Sequence, residues 1–148
     1  MKRSTIAKTF VAAVVTALAL GIAPAAKAQN RGCSNLTLKG TYADKDTGFI
    51  TGAGQFAGVN IETFDGNGGL TGSGFSSVNG AISSGTYSGT YTVNPDCTGT
   101  YTVEFSGIPP IHAFFVLDEG GNELQVLITD SGNTITCVAK KLFPGLGI

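Results

Sequence analysis

Tryptophan is absent from this 148-residue chain, histidine and methionine occur once each, cysteine occurs three times, and Asp, Glu, Lys and Arg together make up only 13% of it. A single histidine, His112, excludes a metal site built from several imidazoles. Cys33, Cys97 and Cys137 form no Cys-x-x-Cys pair, which argues against a zinc or catalytic thiol centre. No serine stands in a Gly-x-Ser-x-Gly context, so the nucleophile elbow of the α/β-hydrolases is missing. Beyond residue 28 only Lys140 and Lys141 are adjacent cations. Replacing phosphate counterions takes clustered Lys and Arg, so nucleic acid is not an expected partner. Helical periodicity is also lacking over any useful length.

What is present begins with a targeting pattern. Met1-Lys2-Arg3 and Lys8 are basic, residues 10–22 are apolar and uncharged, and Ala26-Lys27-Ala28 offers an Ala-x-Ala cleavage site. This reads as a secretory signal peptide over 1–28, with a single domain over 29–148 and a secreted or periplasmic destination. The apolar run is shorter than the ~20 residues of a transmembrane helix, and no later stretch is a helical span. Residues 29–148 carry five cations and ten acids, a net charge of −5 with His112 neutral. They are rich in Gly, Thr and Ser, yet hold too many Val, Ile and aromatic residues for disorder.

Turn signals recur at regular intervals. Asp65-Gly66-Asn67-Gly68-Gly69, Asn79-Gly80, Asn94-Pro95-Asp96-Cys97, Pro109-Pro110, Glu119-Gly120-Gly121-Asn122 and Asp130-Ser131-Gly132-Asn133 separate runs of β character. Those runs are 36–42, 55–64, 70–78, 85–93, 98–105, 111–117, 123–129 and 134–142. Links this short join antiparallel neighbours, so an all-β, eight-stranded antiparallel up-and-down β-barrel follows. A β-sandwich is the competing architecture, but no Greek-key signal supports it. Gly58, Gly72, Gly74 and Gly89 inside strands suit the coiling of a small barrel.

Alternation assigns faces. Tyr87, Tyr91 and Val93 share one face of the fourth run, and Tyr101, Val103 and Phe105 one face of the fifth, with threonines opposite. The aromatic face is expected inside. The sixth and seventh runs are apolar on both faces, which predicts a cover: either the tail 142–148 folds back, or a second subunit packs on strands 111–129. His112 starts the sixth run and is grouped with Phe114 and Val116 near one mouth. Glu62 is expected outside on the premise that Val59 and Ile61 face in, which leaves no carboxylate in the interior and argues against hydrolysis by paired acids.

Oxidation of the cysteines is expected in an exported protein. In an up-and-down barrel the start of the first strand and the turn after the fourth lie at one end, which pairs Cys33 with Cys97. Cys137 lies mid-strand and reads as a buried free thiol. Asp44-Lys45-Asp46-Thr47-Gly48 and Asp65-Gly66-Asn67 hint at calcium loops, but Phe49 and Gln55 occupy positions where an EF-hand needs Gly and Glu, so both read as turns. Gly52-Ala53-Gly54-Gln55-Phe56-Ala57 resembles a dinucleotide fingerprint without the helix that would follow it. No cofactor, metal or catalytic residue is assigned.

The segments 33–42, 63–68, 91–99 and 138–141 resemble those of small secreted, mostly uncharacterised proteins of environmental bacteria. More loosely, the meander and the Phe64–Gly72 hairpin resemble the allene oxide cyclase and dirigent-type barrels. That resemblance implies cyclisation or coupling of a bound apolar substrate, often in an oligomer. Avidin-like barrels hold biotin with tryptophans, which this chain lacks. Three functions follow: a binder of a small apolar molecule, with Tyr87, Tyr91, Tyr101, Phe105, His112 and Phe114 as its wall; a cyclase or isomerase acting by substrate shaping; or a packed barrel serving as an envelope or matrix component.

Overall fold

The computed structural model describes residues 32–118 and 120–143. The signal segment read over 1–28 and the tail beyond 143 lie outside them, as does Glu119. The strands are β1 (Gly40–Ile50), β2 (Gly54–Phe64), β3 (Gly69–Val78), β4 (Ala81–Val93), β5 (Thr98–Phe105), β6 (Ile111–Asp118), β7 (Glu123–Ile128) and β8 (Asn133–Lys141). Each pairs antiparallel with the next, and β8 pairs with β1, so the expected up-and-down barrel is closed. Closure joins the two edges an open sheet would leave, although Ala81–Thr86 of β4 extends past the end of β5 and pairs only with β3.

The turns set these bounds. Asn79 and Gly80 both take positive φ, 48° and 91°, the two-residue hairpin geometry that matches strand twist. This carries the β3–β4 ladder out to Val78 and Ala81, so β4 begins four residues earlier than the sequence suggests. At the β2–β3 turn, Oδ1 of Asp65 accepts the backbone N–H groups of Asn67, Gly68 and Gly69 at 2.6, 3.0 and 2.9 Å. Asp65 is thus a turn residue, as its neighbours imply.

The first strand differs from expectation. Residues 35–38 form a short 3-10 helix instead of a strand, because Ser34 N–H bonds Thr37 Oγ1 at 3.0 Å and Thr37 N–H bonds Ser34 C=O at 2.8 Å. Asp44 to Gly48, expected as a turn, is the middle of β1, laddered on both sides to β2 and β8.

One end of the barrel is sealed. Leu38 of the 3-10 helix packs there with Tyr42, Phe64, Leu70, Tyr91, Phe115 and Leu124. Phe64 meets Tyr42 and Tyr91 edge-on, with ring centroids 5.4 and 5.1 Å apart. Tyr42 donates its hydroxyl to the C=O of Gly121, and Asn35 Oδ1 accepts Val93 N–H at 2.8 Å. The Cys33–Cys97 disulfide ties the segment to the β4–β5 turn, as expected, and Cys137 is free and buried.

Outward positions are rich in Thr and Ser, with apolar exceptions. Val59, Ile61, Phe75 and Ile82 are exposed on β2–β4, and Phe114, Val116, Leu127 and Val138 on β6–β8. No described helix is long and apolar enough to cross a membrane.

Candidate functional site

The half of the barrel away from the plug is not packed. A cavity of about 360 Å³ opens there. Its upper wall is aliphatic and aromatic: Ile50 ends β1, Phe56 lies in the first residues of β2, Val78 ends β3, Phe105 ends β5, and Ile111, Ile128 and Ile135 come from β6, β7 and β8. Small side chains on β3 and β4 leave the room. Ser76 and Ser83 face each other with hydroxyls 2.9 Å apart, where larger residues would fill the space.

At the waist the lining turns polar. Asp44, Asp46, Asn60, Glu62, Tyr87, Tyr101 and Cys137 form the floor between the aliphatic wall and the sealed core. The three acids are only 6%, 8% and 3% exposed. Asn60 organises two of them. Its amide nitrogen reaches Asp44 Oδ1 at 2.8 Å and Asp46 Oδ2 at 2.7 Å, and its backbone N–H adds a bond to Asp44 at 3.1 Å. Cys137, opposite Asp46 in the β1–β8 ladder, hydrogen-bonds that same carboxylate.

Two glycines make the polar layer possible. A Cβ on Gly58 would sit 2.6 Å from the Asp46 carboxylate, and one on Gly72 would sit 2.2 Å from the Tyr87 ring. Tyr87 therefore lies across Gly72 and donates its hydroxyl to Glu62 Oε2 at 3.3 Å, since Gly72 stands between them in the ladders.

Burial dominates the electrostatics. Removal from water pushes Glu62 up to about 8, with the negative charges of Asp44 and Asp46 adding to the effect. Asp44 is pushed up to about 6 by burial and then by Asp46, against the hydrogen bonds from Asn60. Asp46 is also raised by burial. Tyr87, Tyr101 and Cys137 are all raised by burial and so stay neutral. Among the described residues the lining holds no Lys, Arg or His. At neutral pH the floor therefore offers a protonated Glu62 beside a largely ionised Asp44, with Asp46 also raised by burial, and no described cation of the lining balances them.

Three of the six wall residues proposed from sequence, Tyr87, Tyr101 and Phe105, surround the cavity. Tyr91 is buried but belongs to the sealed end, where its hydroxyl donates to Asn35 C=O and accepts Gly66 N–H. His112 and Phe114 are on the outside. His112 is exposed and pairs with Asp130, Nδ1 to Oδ1 at 2.8 Å, while Asp130 Oδ2 accepts its backbone N–H at 2.7 Å. Phe114 is 41% exposed, and Ala113, Phe115 and Leu117 take the inward positions. The strand is apolar on both faces, so its sequence carries no phase.

The acids correct the sequence reading. Glu62 is inside, while Val59 and Ile61, expected inside, point out. Asp44 and Asp46 were assigned to a turn and lie in the interior. Their signal was parity: both alternate in step with buried Tyr42, and Glu62 with Phe64. Among the described residues no group of three or more His, Cys, Asp or Glu is arranged to hold a metal ion. No family model matches the chain, and comparison with curated proteins and with solved structures likewise finds no match.

Proposed function

We propose that this protein is an exported binder of one small, mainly apolar molecule, taken into the open half of the barrel. The observation that carries this reading is the cavity of about 360 Å³, walled by aliphatic and aromatic side chains above a polar floor. Eight-stranded barrels are just wide enough to be filled by side chains or to hold one small ligand. The volume falls in the range of ligand pockets, about 300–1,000 Å³, and apolar walls with a few placed polar groups are their usual chemistry. This favours binding over a solid barrel that serves as an envelope or matrix component. The Cys33–Cys97 disulfide fits an oxidising compartment, in keeping with the signal peptide read from the sequence.

A second reading, a cyclase or isomerase that shapes its substrate, draws on one observation. Glu62, protonated at neutral pH, shares the cavity with an ionised Asp44, so a proton donor and an acceptor face the same space.

Native mass spectrometry on the protein purified from its own exported fraction tests binding. Extra mass that is lost on denaturation is the expected result. A bare mass, together with no thermal stabilisation by 1-hexanol, would overturn the reading.

A further inference from the structure

The wall of the cavity accounts for an apolar body, but the floor asks for something else. Three carboxyl groups converge there, and they are not equally satisfied. Asp44 and Asp46 are held by Asn60 and Cys137. Glu62 is the most deeply buried of the three and accepts one long bond, 3.3 Å, from Tyr87 to Oε2. Its other oxygen accepts none from the described residues. Among the described residues no fully enclosed polar side-chain atom lacks a partner, so Glu62 Oε1 opens onto the cavity that Glu62 lines. Outside the cavity Glu123 is paired with Lys140 at 2.7 Å. In the cavity the described residues supply no such cation.

We infer that the ligand is an amphiphile with a protonated amine head, which sits on the floor against Glu62 while its apolar body fills the aliphatic upper chamber. This rests on the binding reading above and names the chemical class it takes. An ammonium group offers directional N–H donors, which suits one open carboxylate oxygen beside two occupied carboxylates. A bare metal ion needs several converging oxygens, and the described acids are not arranged that way. A carboxylate head would meet like charges, and an alcohol would leave the negative floor unbalanced.

Glu62 is protonated in the free protein at neutral pH, and binding an ammonium ion favours its carboxylate, so uptake releases a proton there. The groups that face Glu62 across the barrel are Tyr42, Asp44 and Asp46 on β1, Tyr87 on β4, Tyr101 on β5 and Cys137 on β8. Among them Asp44, pushed up to about 6, changes charge between pH 5 and 9, while the tyrosines and Cys137 stay neutral. Its ionisation strengthens amine binding in the same direction.

Isothermal titration calorimetry with hexylammonium chloride, 1-hexanol, sodium hexanoate and calcium chloride tests this on the full folded protein. Hexylammonium is expected to bind about tenfold tighter than 1-hexanol, because a hydrogen bond to a charged partner typically exceeds a neutral one by about that factor. Hexanoate is expected to bind weakest. Hexylammonium affinity should rise from pH 6 to pH 9 with proton release at pH 7, and Glu62→Gln should remove most of its advantage over the alcohol. Asp46→Asn provides a second variant if Glu62→Gln does not fold, and the pH series on the unaltered protein needs no variant. Equal binding of hexylammonium and 1-hexanol in both proteins would overturn the amine head and leave the apolar binder standing. A calcium response abolished by Glu62→Gln would overturn it in favour of a metal. No response to any probe would overturn both readings.

Discussion

Glu62 holds its proton to about pH 8 because burial disfavours the carboxylate, and the same preference makes it a load on the fold. For an acid whose folded pKa lies above its ordinary value, the native state binds more protons than the unfolded chain across the interval between the two. Stability is then full below the unfolded value, near 4.5 for Glu62, and is lost as pH rises through about 8. Asp44, pushed up to about 6, adds a loss at lower pH in the same direction. The exposed turn acids Asp65, Asp96 and Asp130 have lowered values from backbone and side-chain hydrogen bonds, and their contribution disappears only in acid, below this window. Thermal unfolding is therefore expected to peak near pH 5 and decline towards pH 9. Glu62→Gln should flatten the decline and stabilise the protein at pH 9 by on the order of 2 kcal/mol, since the amide need not ionise. A Tm that climbs steadily from pH 5 to 9 would contradict the placement of these acids.

The elements divide between those whose sequence shows their role and those whose sequence hides it. Cys33 and Cys97 were legible as a pair because up-and-down connectivity alone puts the start of the first strand beside the fourth turn. β4 and β5 were legible because threonine on one face and tyrosine on the other fix their phase. β6 was not, since Phe114-Phe115-Val116-Leu117 is apolar whichever way it faces, and His112 went outside with Phe114. β1 was hidden for the opposite reason. Asp44-Lys45-Asp46 has the composition of a turn, and only pairing with β2 and β8 makes its acids interior. The plug gives a test at this scale. Cys33→Ser should cost about 2–5 kcal/mol, the usual loss for a native disulfide in a small domain. Faster amide exchange is expected at Val93 and Leu117, whose N–H groups bond Asn35 and Cys97 at the sealed end. Cys137→Ser keeps a donor for Asp46 and should change stability far less. If Cys137→Ser proves the more damaging, the sealed end does not depend on the bridge.

As a whole the molecule is two unlike halves of one barrel, a solid base and a hollow top, separated by a layer of buried acids. The hollow is a stability left unused, because apolar side chains bordering a void forgo contacts that a filled core would make. Val103→Phe enlarges a residue that lines the cavity. It should leave Tm unchanged or higher and abolish 1-hexanol binding. Unaltered hexanol binding by a folded Val103→Phe would show that the hexanol sits elsewhere, and the apolar exterior around Phe75 would be the place to look. Because the segment at Asn35–Leu38 stoppers the base among the described residues, a guest of the kind proposed would come and go on the open side, past the stretch of β4 that has no β5 partner. A newcomer could not push it out from the base. Exchange through that side would be sequential, with vacancy before refilling, so its rate would be set by the occupant's own escape and would be indifferent to how concentrated its rivals are.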